Sequence, residues 1–167
     1  MVKVSKDRTV LGAEHPYCDS LQLVMVTLFF VVWGLDSFVF YYSTFLAGLV
    51  PLTLRLFLTV FSSGFGVYLS AISLKLVFGE EAEPKIIESG VYSWVRHPMY
   101  LGTMMFCLGF FLASLSLLSL GIWVVFFFFY DKMATYEEKD MIRILGEEYT
   151  AYQKRVPKWI PRLRRQS

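Results

Sequence analysis

Residues 98–130 read PMYLGTMMFCLGFFLASLSLLSLGIWVVFFFFY, 33 positions without a charged side chain. As one helix this run would be ~50 Å long at ~1.5 Å per residue, far more than the roughly 30 Å of a bilayer's hydrocarbon. It therefore reads as two spans folded back at Ser114-Leu115-Ser116, the second continuing past Asp131. Each arm of about 16 residues reaches only about 24 Å, so the hairpin predicts short helices or a locally thinned bilayer.

Two further apolar runs precede it. Leu21 to Tyr42 is broken only by Asp36, and Leu52 to Phe78 starts just after Pro51, a residue suited to a helix's first turn. Arg55 and Lys75 lie near the ends of the second run, where long basic side chains can snorkel to the interface. The expected fold is all-α: a multi-pass membrane bundle of about four transmembrane helices, the last two a tight hairpin, with an amphipathic C-terminal helix. No composition break divides the chain, so residues 1–167 read as one domain. Within it, 1–20 form an N-terminal segment, 21–78 two spans, 79–161 the core that carries the chemistry, and 162–167 a basic tail.

Composition agrees. A chain of 167 residues that is 56% hydrophobic, with 16 Phe, holds more apolar surface than a soluble core of its size could bury. The net charge of +2 gives no ground for a nucleic-acid partner. Cys18 and Cys107 are far apart, one inside a span, which suggests neither a disulfide framework nor a metal cluster. The first 20 residues lack an apolar core, so no cleavable signal peptide is expected, and the ending Arg-Arg-Gln-Ser is no prenylation box. Of 16 basic residues, 15 fall on the side shared by the N-terminus, the middle loop and the C-terminal tail; only Arg55 lies near the opposite face. The positive-inside rule makes that side cytosolic, in a bacterial or archaeal cell membrane or an endoplasmic reticulum.

The polar residues concentrate in two segments that this topology brings together, Glu80 to Tyr100 and Lys132 to Pro161. In the first, Pro98 suits a first helical turn and pushes His97 out of the helical region. His97 and the free amides after it then sit at a helix N-terminus, which suits an anionic group such as a carboxylate. The alternative is that Arg96 and His97 are interfacial anchors and Tyr92 and Tyr100 part of an aromatic belt. In the second segment, Glu137 and Glu138 follow the last span directly. Glu138, Met141, Ile142, Leu145, Tyr149 and Tyr152 recur at helical steps, an amphipathic helix that could lie on the membrane or cap a pocket. Pro157 to Pro161 ends it, with Trp159 placed to anchor at the headgroups.

Gly90-x-Tyr92 leads into Arg96-His97-Pro98-x-Tyr100-x-Gly102; then, past the hairpin, come Glu137-Glu138 and Gly146-Glu147-Glu148-Tyr149-x2-Tyr152-x3-Val156-Pro157. Together these segments closely resemble the isoprenylcysteine carboxyl methyltransferase family and the related phospholipid N-methyltransferases. The resemblance covers about Lys85 to Pro161, while the first two spans match only in hydrophobicity. It implies an S-adenosyl-L-methionine pocket between the two segments, with Tyr92, His97, Pro98, Met99, Tyr100 and Glu137 at the family's cofactor-binding positions. Pro84 to Ile87, ending in Ile87, falls on a further cofactor-contacting stretch. Glu138 is the candidate for a catalytic role, as a base should the acceptor be an ammonium that must lose a proton. The implied partner is a lipid-like or apolar methyl acceptor from the bilayer: an isoprenylcysteine-type carboxylate, a lipid amine or a thiol.

One departure bears on the acceptor. The family's carboxyl methyltransferases carry a substrate-binding arginine four residues before the glutamate, and here that position is Met133, with Lys132 only a neighbour. Rival readings are a sterol-type membrane reductase using NADPH, a non-catalytic scaffold of the same fold, and a small transporter. The reductases usually carry an acidic residue after the motif's glycine, where this chain has Thr103. Asp36, mid-span, is either functional or a structural hydrogen-bond partner of Ser37, Ser43 or another helix.

Overall fold

The computed structural model describes residues 18–79 and 86–161. The expectations for residues 1–17, Pro84, Lys85 and the tail 162–167 lie outside the described residues. Among the described residues there is no strand. The elements are α1 (Cys18–Leu35), α2 (Leu52–Gly79), α3 (Pro98–Ser114), α4 (Leu117–Leu145) and α5 (Glu147–Arg155), with short 3-10 turns at Phe45–Gly48 and Gly90–Ser93. Three helical stretches, Ser20–Phe40, Leu52–Val77 and Leu117–Leu145, are long and apolar enough to cross a membrane, and Pro98–Ser114 is a shorter apolar helix. Large apolar side chains such as Phe57, Val60 and Phe61 face outward from α2, as a lipid-facing surface requires.

The hairpin turns where expected. Leu115 takes a left-handed conformation (φ 51°, ψ 35°) and its amide bonds back to Phe111 O at 2.7 Å, closing α3. Ser116 then caps α4, its hydroxyl accepting from the Ser119 amide at 3.1 Å.

The first span differs from its expected extent. Instead of running to Tyr42, α1 stops at Leu35 and loosens into a π-helical turn, Asp36–Phe40. The cause is Asp36, whose buried carboxylate accepts the Ser43 amide (3.0 Å), the Ser43 hydroxyl (2.5 Å) and the Ser116 hydroxyl (2.5 Å). Ser43 in turn receives the Leu118 amide on its hydroxyl at 3.0 Å. Of the two readings of Asp36, the geometry supplies the structural one: it ties the first loop to the start of α4. Arg55 does not simply snorkel outward either. Its Nη1 donates to Ala113 O at 2.6 Å and so caps the last turn of α3.

Helices α2 and α3 pack with backbones nearly touching. A Cβ added at Gly66 would stand 2.5 Å from Gly102 O and 2.6 Å from Phe106 N. Ser62 Oγ donates across the same seam to Met105 O at 2.8 Å. Small residues and hydroxyl-to-carbonyl bonds are how helices associate where lipid supplies no hydrophobic drive. On the other side of α3, α4 and α1 enclose a core of Phe29, Tyr100, Met104, Cys107, Phe126, Tyr130, Met133 and Ala134. Two indoles stitch it: Trp33 Nε1 donates to Phe110 O and Trp123 Nε1 to Met104 O, each at 2.8 Å.

The predicted amphipathic helix is two pieces. Residues through Leu145 continue α4 without interruption, and Gly146 (φ 58°, ψ −125°) breaks the chain before α5. Only glycine takes that conformation without strain. The break turns Tyr149 and Tyr152 back toward α3, where they pack with Ile86 and Val156.

Candidate cofactor cavity

Where α2 ends, α3 begins and α4 leaves the apolar region, the chain leaves a cavity of about 150 Å³. Its walls are Val77 of α2, Ile86 and Ile87, Tyr92 and Arg96 to Tyr100, Glu137 and Met141 of α4, and Tyr149 and Tyr152 of α5. All seven residues expected at the cofactor (Ile87, Tyr92, His97, Pro98, Met99, Tyr100 and Glu137) therefore line one space.

Local structure places each of them. Pro98 opens α3 and His97 precedes it with non-helical dihedrals (φ −121°, ψ 61°). The first intrahelical bond of α3 runs from the Leu101 amide to His97 O at 3.0 Å. Met99 thus lies in the helix's first turn, at its positive end. The Tyr100 hydroxyl donates to Glu137 Oε1. His97 Nδ1 lies 3.6 Å from Glu137 Oε2, and its Nε2 lies 3.0 Å from Glu138 Oε1. The His97 ring is parallel to that of Tyr100 and tilted against Trp159.

The two glutamates have different surroundings. Neighbours on a helix point about 100° apart, so the two side chains leave α4 in different directions. Glu137 faces the cavity; Glu138 is buried and does not line it. Glu138 Oε1 accepts from Arg96 Nε at 2.8 Å and contacts His97, while Oε2 accepts from Gln153 Nε2 at 3.0 Å. Glu138, the candidate base, thus stands outside the lining, held by Arg96, His97 and Gln153.

Among the tyrosines, burial pushes the Tyr92 phenol up to about 12; the Ser73 hydroxyl opposes this and the charge of Glu137 adds to it. Burial also pushes Tyr149 and Tyr152 upward. All three are neutral hydroxyls at physiological pH. Tyr152 uses its own to donate to Tyr92 O at 2.7 Å, joining α5 to the turn before α3.

Sequence reasoning left Arg96, Met141, Tyr149, Tyr152 and Val77 off the set, while Ile86 lies in the expected stretch Pro84 to Ile87. The helical recurrence of Met141, Tyr149 and Tyr152 was the available signal for three of them. Trp159, expected among headgroups, is instead half-buried, its Nε1 donating to Asp131 Oδ1 at 2.9 Å. Met133 is buried in the core and does not line the cavity.

The phospholipid methyltransferase family profile matches residues 44–148. The chain belongs to this family. The match begins ahead of α2, so the second span, expected to agree only in hydrophobicity, is part of the family's sequence pattern. Among individual relatives, a protein-S-isoprenylcysteine O-methyltransferase of Saccharomyces cerevisiae is 39% identical over 84 residues, 49% of this chain and 35% of its own. The Homo sapiens protein of the same name is 36% identical over 81 residues, 46% of this chain and 27% of its own. A methanethiol S-methyltransferase of Crocosphaera subtropica is 30% identical over 134 residues, 78% of this chain and 51% of its own. The chain thus spans about a third of the length of the isoprenylcysteine relatives, and about half of the methanethiol one. No solved structure matches it significantly.

Proposed function

We propose that this chain is an S-adenosyl-L-methionine-dependent methyltransferase acting on an apolar or membrane-embedded acceptor. One observation carries the reading: Glu137, Tyr92, Ile87 and the start of α3 from His97 to Tyr100 converge on a single cavity. The donor's groups find complements there. Glu137 offers a carboxylate to an ammonium or sulfonium. The positive N-terminal end of α3, at Met99, suits a carboxylate. Tyr92, Tyr149 and Tyr152 offer ring faces to an adenine or a sulfonium. When bound, the donor supplies an already activated methyl group. The chain's part is then to hold it, orient it and exclude water, which Val77, Ile86, Ile87 and Met141 do from the apolar side.

In the sequence, 15 of the 16 basic residues fall on the side of the N-terminus, middle loop and C-terminal tail, which supports a cytosolic cavity with the acceptor arriving sideways from the bilayer. An isoprenylcysteine-type carboxylate, a lipid amine and a thiol remain the acceptor classes. Met133, four residues before Glu137, offers no cation to a carboxylate. The relatives named above are methyltransferases, which disfavours the NADPH-reductase reading.

The deciding experiment is isothermal titration of detergent-purified protein with S-adenosylhomocysteine, wild type beside Glu137→Ala, with NADPH as control. Saturable binding lost in the variant supports the assignment. Binding of NADPH alone, or of neither ligand, overturns it.

A further inference from the structure

We infer that Arg96 is a positioning residue: it latches α5 over the cavity by joining Glu138 of α4 to the last carbonyls of α5. This rests on the cofactor reading above.

The guanidinium joins three elements. Its Nε donates to Glu138 Oε1 of α4 at 2.8 Å; its Nη1 donates to Val156 O at 2.6 Å and Gln153 O at 3.1 Å, at the end of α5. Its own backbone amide donates to Pro157 O at 3.0 Å. The last carbonyls of a helix lack intrahelical partners and favour a cation, so Arg96 is the C-terminal cap of α5, supplied from about 60 residues away in sequence. Gln153 closes the ring by donating to the other oxygen of Glu138 at 3.0 Å.

Along the rest of α5, buried Tyr149 and Tyr152 pack against Ile86 and Val156. Gly146 is its pivot, and the Arg155–Glu88 ion pair at 2.6 Å is exposed and correspondingly weak. The Tyr152 hydroxyl donates to a backbone carbonyl of the turn before α3. Arg96 also stands next to His97, so the same residue fixes the start of α3 and the tyrosines opposite it. A planar fork that serves a carboxylate and two carbonyls at once is a task for arginine that lysine does only in part.

The test compares wild type, Arg96→Ala, Arg96→Lys and Gln153→Ala by S-adenosylhomocysteine titration, donor KM against kcat, and amide hydrogen exchange through residues 147–156. Arg96→Ala is expected to weaken binding and raise KM about tenfold or more, with a smaller fall in kcat at saturating donor and faster exchange in α5. Arg96→Lys should recover part of the loss, a rescue that lost folding would not give. If Arg96→Ala does not fold, Gln153→Ala serves: an intermediate loss of affinity supports the latch. Affinity unchanged in the folded variants, even with a lower melting temperature, overturns it. Wild-type protein that binds no S-adenosylhomocysteine overturns the cofactor reading itself, and this inference with it.

Discussion

The rings of His97 and Tyr100 lie parallel, their planes 2° apart and their centroids 5.7 Å apart. They are three residues apart across the start of α3, and so share one face of the helix. Both side chains are turned toward Glu137, which the Tyr100 hydroxyl bonds and the His97 imidazole approaches. The carboxylate's direction is therefore set by α3 although its backbone belongs to α4.

Removing the hydroxyl alone tests this arrangement. Tyr100→Phe keeps the ring stack and deletes one charge-assisted hydrogen bond, typically ~1.5–3 kcal/mol. The S-adenosylhomocysteine Kd should rise about tenfold or more in calorimetry, since 1.4 kcal/mol is a factor of about ten. An unchanged Kd would mean that Glu137 is oriented without Tyr100.

The adjacent glutamates should separate by phenotype. Glu137→Gln removes the anion that faces the cavity, so ligand binding should be lost while the folded bundle persists in thermal unfolding. Glu138→Gln leaves Arg96 buried with its charge partner gone, and breaking a buried pair costs ~3–5 kcal/mol. Its main effect should be a lowered unfolding midpoint, with weaker binding following from a loosened α5. Intact stability with turnover abolished in Glu138→Gln would return a catalytic role to that residue.

What the sequence made legible divides along physical lines. The hairpin at Ser114 to Ser116 and the limits of α2 were readable from local composition, while seven of the thirteen wall residues were named through the family resemblance of their motifs. The end of α1 was not, since the loosening at Asp36 depends on Ser116, 80 positions away. The break at Gly146 was hidden because apolar periodicity runs straight through it. The division of labour between Glu137 and Glu138 was hidden too, since adjacent identical residues differ only by which side of the helix the fold buries. The partners of Arg96 were hidden because they come from α4 and α5, so an interfacial anchor stood as an alternative reading of it.

The α2–α3 seam predicts a sharp contrast between two nearby glycines. At Gly66 an added methyl meets the backbone of Gly102 and Phe106, and helices cannot yield there without moving apart; at Gly64 nothing lies within 4 Å. Gly66→Ala should destabilise by at least ~1–3 kcal/mol, the usual range for overpacking. Gly64→Ala should be neutral, or gain up to ~1 kcal/mol from helix propensity. Thermal unfolding in detergent reads both, and equal midpoints would show that the seam can relax.

Asp36 offers the complementary case, a buried carboxylate whose role is confined to the far end of the bundle. The 17 residues of α3 separate it from the cavity by about 25 Å at ~1.5 Å per residue. Asp36→Ala would strand the Ser43 amide and the Ser116 hydroxyl in the protein interior, at ~1–3 kcal/mol for each unsatisfied group. Asp36→Asn keeps one acceptor oxygen and should fall between. Both variants should lower the unfolding midpoint in that order, with S-adenosylhomocysteine affinity within about twofold of wild type, as expected for sites well separated in space. Affinity or turnover that collapsed while the midpoint held would move Asp36 out of the loop and into the reaction, because no structural role this far from the cavity could produce that pattern.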